Sequence, residues 1–286
     1  MKCVDKKFFK IAIIGTGAMG SALAKGISLA AENEFPISFY LNNRSLDKAL
    51  KLKGELELNP SFPQSLQVSV LEKLPDLVIE KPDMLIIAVK PKDVKELLGN
   101  LRDLPESCII SSVLAGIAVK TVEDYFPKNP IIRAMPNTPA QINQGVTAIF
   151  ANQNCKAEHL ELVQKLFNTV GKIVFVTDEN KMHTVTAVSG SGPAYFLYFV
   201  EALEKAALDS GLTKEEAGLL VKETFFGTAK LLAQSNSLPE ELRAAVTSPK
   251  GTTEAGIRVL EEGGLKQLLS EVIDAARQRS VDISCT

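Results

Sequence analysis

Up to about residue 180 the chain alternates short β-branched apolar runs with stretches in which apolar residues recur every three or four positions. Residues 10–14, 38–41, 84–89, 108–112, 131–135, 146–150 and 173–176 read as strands, and residues 66–70 as a third strand on a thinner pattern. Runs that are apolar on both faces and separated by helical patterns predict a mainly parallel sheet with helices on both sides, the last strands being free to turn antiparallel. Residues 53–80 have the poorest periodicity. Beyond residue 180 the strand pattern stops. Leu197, Val200, Leu203 and Ala207 recur at helical spacing, as do Ala217, Leu220, Val221, Thr224, Phe225, Thr228 and Leu231, and again Leu265, Leu268, Leu269, Val272, Ile273 and Ala276. Two domains are therefore expected, an α/β domain over residues 1–180 and an all-α domain over residues 181–286. About a hundred residues are few to bury apolar stripes this wide, so a homodimer or higher homo-oligomer is expected to complete the helical core.

The 286 residues are 45% hydrophobic with a net charge of −2. That suffices for a sizeable core and leaves no basic field for nucleic acid or an anionic membrane. Cys3, Cys108, Cys155 and Cys285 show no C-x-x-C spacing, and His159 and His183 lie in unrelated segments. No metal site or disulfide framework is expected, which fits a reducing compartment. The stretch Met1-Lys-Cys-Val-Asp-Lys-Lys-Phe8 lacks a signal peptide's apolar core, and no run approaches the length of a membrane span. A cytoplasmic protein is expected.

The first chemical motif, Gly15-Thr-Gly-Ala-Met-Gly20, follows a strand and opens a helix running through Leu23, Ile27 and Ala30. Gly15 permits a tight turn, Gly17 lets the backbone approach a pyrophosphate, and Gly20 allows close packing of helix on strand. Thr16, Ala18 and Met19 complete this turn. A structural glycine turn is the bland alternative, but the strand–turn–helix context favours a Rossmann-type, doubly wound dinucleotide-binding domain. At the end of the second strand, where NAD sites place an acidic residue, the chain reads Leu41-Asn-Asn-Arg-Ser45. Arg44 can fork onto a 2′-phosphate while Asn43 and Ser45 donate to it, so NADPH is the expected cofactor, with NADH as an alternative donor. The competing reading makes Arg44 a solvated turn arginine. The fourth strand ends in the turn Ala88-Val-Lys-Pro91, and strand C-termini face the ligand crevice of a doubly wound sheet, so Ala88, Val89, Lys90 and Pro91 are assigned to the cofactor. Ala115 and Gly116, in Val113-Leu-Ala-Gly-Ile117, are small enough for close approach one strand over.

In the helical half, Thr247-Ser-Pro-Lys-Gly-Thr-Thr-Glu-Ala-Gly-Ile257 breaks one helix at Pro249 and Gly251, and Thr252 or Thr253 can cap the next. The result is either an ordinary interhelical turn or a cluster of N–H groups and hydroxyls fit for a small anion. Arg133-Ala-Met-Pro-Asn-Thr-Pro-Ala140 reads as a proline-stiffened polar loop, and Ser189-Gly-Ser-Gly-Pro-Ala-Tyr195 as a Gly/Ser helix start with Pro193 near its first turn.

Taken in order, these segments resemble the pyrroline-5-carboxylate reductases from end to end. The resemblance implies an N-terminal Rossmann domain for NAD(P)H followed by an all-α dimerisation domain. It implies an active site between the nucleotide domain of one subunit and the helical domain of the other, and reduction of Δ1-pyrroline-5-carboxylate to L-proline. Carried over by position, Gly15, Gly17, Ala18, Met19 and Gly20 line the pyrophosphate and Ala88–Pro91 the nicotinamide side. Ser248, Gly251, Thr252 and Thr253 hold the substrate carboxylate and imine nitrogen, with Thr253 as the catalytic candidate and Glu179 near the substrate. The chain departs from the family where its loop commonly reads Ser-Pro-Gly-Gly-Thr-Thr. Lys250 replaces the first of those glycines, and residues 53–70 look longer than usual.

A protonated cyclic iminium is already electrophilic, so orientation and charge complementarity matter more than a strong general acid, and the missing His or carboxylate pair is no obstacle. Three other readings are open. A β-hydroxyacid dehydrogenase should carry a catalytic lysine within a helical motif, and no such motif follows Ser189–Tyr195. A paralogue acting on another cyclic imine acid would find support in Lys250. A non-catalytic NADPH-binding regulator would not need an intact hydroxyl loop.

Overall fold

The computed structural model describes residues 8–30, 36–61, 63 and 66–284; Cys3 and Cys285 lie outside them. The chain forms two compact units, Met1–Ser191 with Ala276–Thr286, and Gly192–Ala275.

The first unit is built on an eight-stranded sheet in the order β3-β2-β1-β4-β5-β6-β7-β8. Its strands are β1 (Phe9–Ile14), β2 (Ile37–Asn42), β3 (Gln67–Val70), β4 (Met84–Ile87), β5 (Ile109–Ser112), β6 (Ile131–Met135), β7 (Gly145–Ala151) and β8 (Gly171–Phe175). Every expected strand is present, including the thin third one. All pairings are parallel except β6 with β7, after which β8 again runs parallel to β7. The antiparallel step is made within a short connection, because β6 and β7 are joined by the proline-stiffened loop and a single tight turn over Thr138–Ile142. β4 stops at Ile87, short of the expected residue 89, because the chain turns at Ala88 towards the crevice.

Helices α1 (Ala18–Ala30), α2 (Leu46–Leu58) and α6 (Ala157–Asn168) cover one face, while α3 (Leu74–Ile79), α4 (Val94–Gly99) and α5 (Val119–Glu123) cover the other. The strand period sorts the core: Ile11, Ile13, Met84 and Ile86 join the first face, and Ala12, Ile14, Leu85 and Ile87 the second. The short helix α7 (Lys181–Val185) stays with the sheet, with Met182 fully buried.

The second unit contains α8 (Gly192–Asp209), α9 (Lys214–Gln234), α10 (Pro239–Ala245), α11 (Thr252–Glu262) and most of α12 (Leu265–Ser284). Local signals set these boundaries. Gly211, at φ 98°, ends α8, and Leu212 N–H returns to the Ala207 carbonyl at 3.2 Å. Thr213 caps α9 in a reciprocal box with Glu216: Glu216 N–H donates to Thr213 Oγ1 at 3.2 Å and Thr213 N–H to Glu216 Oε2 at 2.8 Å. Those bonds hold the Glu216 carboxyl below its ordinary range. Among the described residues of this unit, Gly192, Ala217 and Val221 alone are buried. No helix among the described residues is long and apolar enough to cross a membrane.

Candidate functional site

The C-terminal ends of β1, β2 and β4 meet at a cleft of about 720 Å³ in the first unit. Gly15 leaves β1 at φ 96°; a side chain there would come within 2.5 Å of the Ala88 carbonyl oxygen, so the two turns touch through bare backbone. A Cβ at Gly20 would run into the Gly15 carbonyl, which brings the first turn of α1 down onto the strand end. Gly17 faces open space, where a ligand can reach the backbone. α1 has no acidic residue in its first turn, so nothing on it opposes an anion at its N-terminus.

Gly15, Gly17, Asn43, Arg44, Ser45, Ala88, Val89 and Lys90, all assigned to the cofactor from sequence, line this cleft. Thr16 lies beneath it, 5% exposed, and its hydroxyl has no partner among the described residues. Ala18, Met19 and Gly20 form the first turn of α1, and Pro91 opens the turn Pro91–Asp93. Ala115 and Gly116 are not among the lining residues. Asn43 has another task besides facing the cleft. Its Oδ1 accepts from Thr16 N–H at 3.1 Å and its Nδ2 donates to the Ser45 carbonyl at 2.9 Å, tying the glycine turn to the end of β2. Ser45 is the N-cap residue of α2 but makes no side-chain cap bond, which leaves its hydroxyl free. Arg44 is exposed and forms no ion pair among the described residues.

Sequence reading missed several lining residues: Asn42, Lys48, Glu72, Lys92, Asp93 and Glu96. Lys48, one helical turn beyond Arg44, adds a second cation to the end of β2; its spacing was the available signal. Glu72 lies in the weakly patterned region, and Asn42 Nδ2 fastens that segment by donating to the Leu71 carbonyl at 2.8 Å. The residues fit a dinucleotide phosphate: a glycine cradle open at Gly17, a hydroxyl at Thr16 and two cations, Arg44 and Lys48, that have no partner among the described residues, and no carboxylate on the last residues of β2.

Glu179 lines a different cavity, of about 530 Å³, beside Val119, Glu123 and Asn152. Its Oε1 accepts from Arg133 Nη1 at 2.8 Å and from Val119 N–H at 2.7 Å. Arg133 is 3% exposed, so this carboxylate balances a buried charge while capping the start of α5. Nearby, His183 Nδ1 lies 3.0 Å from Ser280 Oγ, and burial, then Arg133, lowers its pKa.

In the second unit, the hydroxyl loop departs from expectation in one detail. The N-cap position of α11 is Gly251, so Thr252 and Thr253 are its first two helical residues and neither caps it. A Cβ on Gly251 would come within 2.5 Å of Ser248 Oγ and 3.0 Å of the Ser248 carbonyl oxygen, so a side chain there would displace the Ser248 hydroxyl. Gly251 N–H donates to the Ser248 carbonyl at 3.0 Å and Lys250 N–H to Glu254 Oε2 at 2.8 Å. With no side-chain cap, the N–H groups of Thr252 and Thr253 and both their hydroxyls are left for a ligand. Lys250 sits at φ 62°, the left-handed conformation that glycine adopts freely and a lysine does not.

Comparison with known proteins bears on both units. Residues 179–283 match the family described as pyrroline-5-carboxylate reductase dimerisation. Residues 10–116 match the family described as NADP oxidoreductase, coenzyme F420-dependent. Pyrroline-5-carboxylate reductase 2 of Bacillus subtilis is 34% identical over 276 residues, 96% of this chain and 95% of its own. A solved pyrroline-5-carboxylate reductase from Coxiella burnetii superposes with a TM-score of 0.86 at 33% identity, covering 98% of this chain and all of its own. The Plasmodium falciparum pyrroline carboxylate reductase, solved with NADP bound, gives a TM-score of 0.79 at 27% identity over 96% of this chain and 98% of its own.

Proposed function

The chain belongs to the pyrroline-5-carboxylate reductase family, and from that membership we propose that it reduces Δ1-pyrroline-5-carboxylate to L-proline with NADPH, or less efficiently NADH, as the electron donor. The observation that carries the proposal is the cleft, where a glycine cradle and the unpaired Arg44 and Lys48 stand at the end of a second strand that lacks an acidic residue. Gly15, Gly17 and the first turn of α1, Ala18–Gly20, receive the pyrophosphate; Arg44, Lys48 and Ser45 receive the 2′-phosphate; Ala88–Pro91 and the turn at Ala115 and Gly116 bound the nicotinamide side. The bound cofactor supplies a hydride.

On the helical unit, residues 248–253 bind the substrate. The free N–H groups of Thr252 and Thr253 take its carboxylate with Ser248, and the Thr253 hydroxyl meets the ring nitrogen and fixes which face of the iminium is presented. Gly251 keeps that loop tight by leaving room for Ser248. Glu179 joins as a substrate-side acceptor through its second carboxylate oxygen, the first being taken by Arg133 and Val119. A second copy of the chain covers the exposed apolar faces of the helical unit, making a homodimer or a multiple of it. Cys108 and Cys155 are unpaired, with burial pushing their thiols up to about 12 and about 11, which suits inert thiols in the cytoplasm.

The test is an assay of purified protein with NADPH and Δ1-pyrroline-5-carboxylate. NADPH oxidised in equal amount to the proline formed is the expected result, and stoichiometric NADPH binding without proline at neutral pH would replace the enzyme with a regulator.

A further inference from the structure

The turn after β5 is fastened at both ends by residues distant in sequence. Gly116 has φ 78°, and a Cβ on it would come within 2.5 Å of Ile283 Cγ2 and 3.0 Å of Ile283 Cβ. Its missing side chain therefore makes the seat of an isoleucine from the end of α12. At the other end, Val119 N–H is held by Glu179, itself anchored on the buried Arg133. Between the two fastenings, Ser280, 3% exposed, meets His183. Glu179 and His183 belong to the stretch that leads out of the sheet unit, and Ser280 and Ile283 to the stretch that returns to it. Both ends of the excursion thus converge on one part of the same unit, the turn after β5 and the neighbouring strand β6.

β5 lies beyond β4 from β1 in the sheet, so its turn borders the half of a dinucleotide crevice that takes the second nucleotide, whereas Arg44 and Lys48 border the first. We infer that Ile283 is a positioning residue for the reaction: seated on Gly116, it sets the turn at Ala115 and Gly116 against the nicotinamide half of the cofactor. The adenosine half is held independently. The inference rests on the cofactor reading proposed above and adds to it a residue that touches neither cofactor nor substrate.

The test compares full-length wild type with Ile283→Ala, Ile283→Val and Ile283→Leu. Each is titrated with NADPH and with adenosine 2′,5′-bisphosphate, which has only the adenosine half, and assayed for turnover. Removing the β-branch in Ile283→Ala should weaken NADPH binding and lower kcat roughly 10- to 100-fold, the scale of a misplaced reacting group, with bisphosphate affinity unchanged. Ile283→Val keeps Cγ2 and should restore both. Ile283→Leu keeps the volume but withdraws the branch, so it should show the same selective loss even if Ile283→Ala does not fold. Folded Ile283→Ala or Ile283→Leu with wild-type kcat, or with equal losses for both ligands, would overturn the inference. Wild type that binds neither ligand would instead overturn the cofactor reading beneath it.

Discussion

In the sheet unit every residue of β4 is fully buried, whereas in the helical unit the 18 residues of α8 leave Gly192 alone buried, with Phe196 61% and Leu197 67% exposed. The contrast extends through each unit. The sheet carries two cores, one per face, made from its own helices. The helical unit leaves Leu219, Leu231, Val259 and Leu268 more than half exposed on helices that are nonetheless fully formed. Local signals can thus form helices that cannot bury their own stripes, and exposed apolar area on this scale marks a surface that another molecule covers. The match to a dimerisation family over residues 179–283 identifies that molecule as a second copy. The sheet unit owes its core to its own sequence; the helical unit owes its core to assembly.

The largest effect should come from breaking that assembly. Leu269, on α12, is 47% exposed, and Leu269→Asp would place an unpaired charge in the covered face. Light scattering and turnover should show aggregated or unfolded, inactive protein; a well-folded and fully active monomer would erase the distinction between the units. Next in size is Arg44→Asp, which acts inside the self-sufficient unit. Its kcat/KM with NADPH should fall roughly 10- to 100-fold, the equivalent of about 1.5–3 kcal/mol for a lost charge-assisted phosphate contact. Thermal stability and the NADH reaction should change far less. A wild type that prefers NADH would remove the 2′-phosphate from the end of β2.

Thr253→Val tests the helical unit without disturbing its assembly. Because Gly251 rather than Thr253 is the cap of α11, the substitution should leave stability near wild type. The kcat/KM for Δ1-pyrroline-5-carboxylate should drop roughly 10- to 100-fold, about 1–3 kcal/mol, at unchanged NADPH affinity. Lost stability with normal kinetics would return the loop to an ordinary turn. The smallest effect belongs to Lys250→Gly, which relieves a left-handed lysine at φ 62°. The gain should be at most about 1 kcal/mol, since glycine also raises the entropy of the unfolded chain. A lower thermal midpoint would show that the lysine side chain holds the loop.

The sheet was legible because parallel strands buried on both faces leave continuous apolar runs such as Met84–Ile87, and a glycine turn directly after one of them sets where the crevice opens. The helical stripes were legible for the same reason. What escaped notice is set by tertiary placement. Lys48 and Glu96 sit on unremarkable helix faces and Glu72 in a segment without periodicity, yet chain crossings bring all three to one cleft. Gly116 read as a point of close approach for a ligand, and its observed neighbour is Ile283, which no local pattern connects to it. Similarly, Glu179 carried a substrate role by resemblance, while its engagement with Arg133 and Val119 appears only once β6 and α5 are packed.

The central claim, hydride transfer from NADPH to the cyclic imine, is tested most directly with NADPH deuterated at the transferring position of the nicotinamide ring. Mass spectrometry of the product should find L-proline bearing a single deuterium, at the ring carbon that was double-bonded to nitrogen. Proline free of label, or labelled NADPH that binds and is recovered intact, would contradict the account.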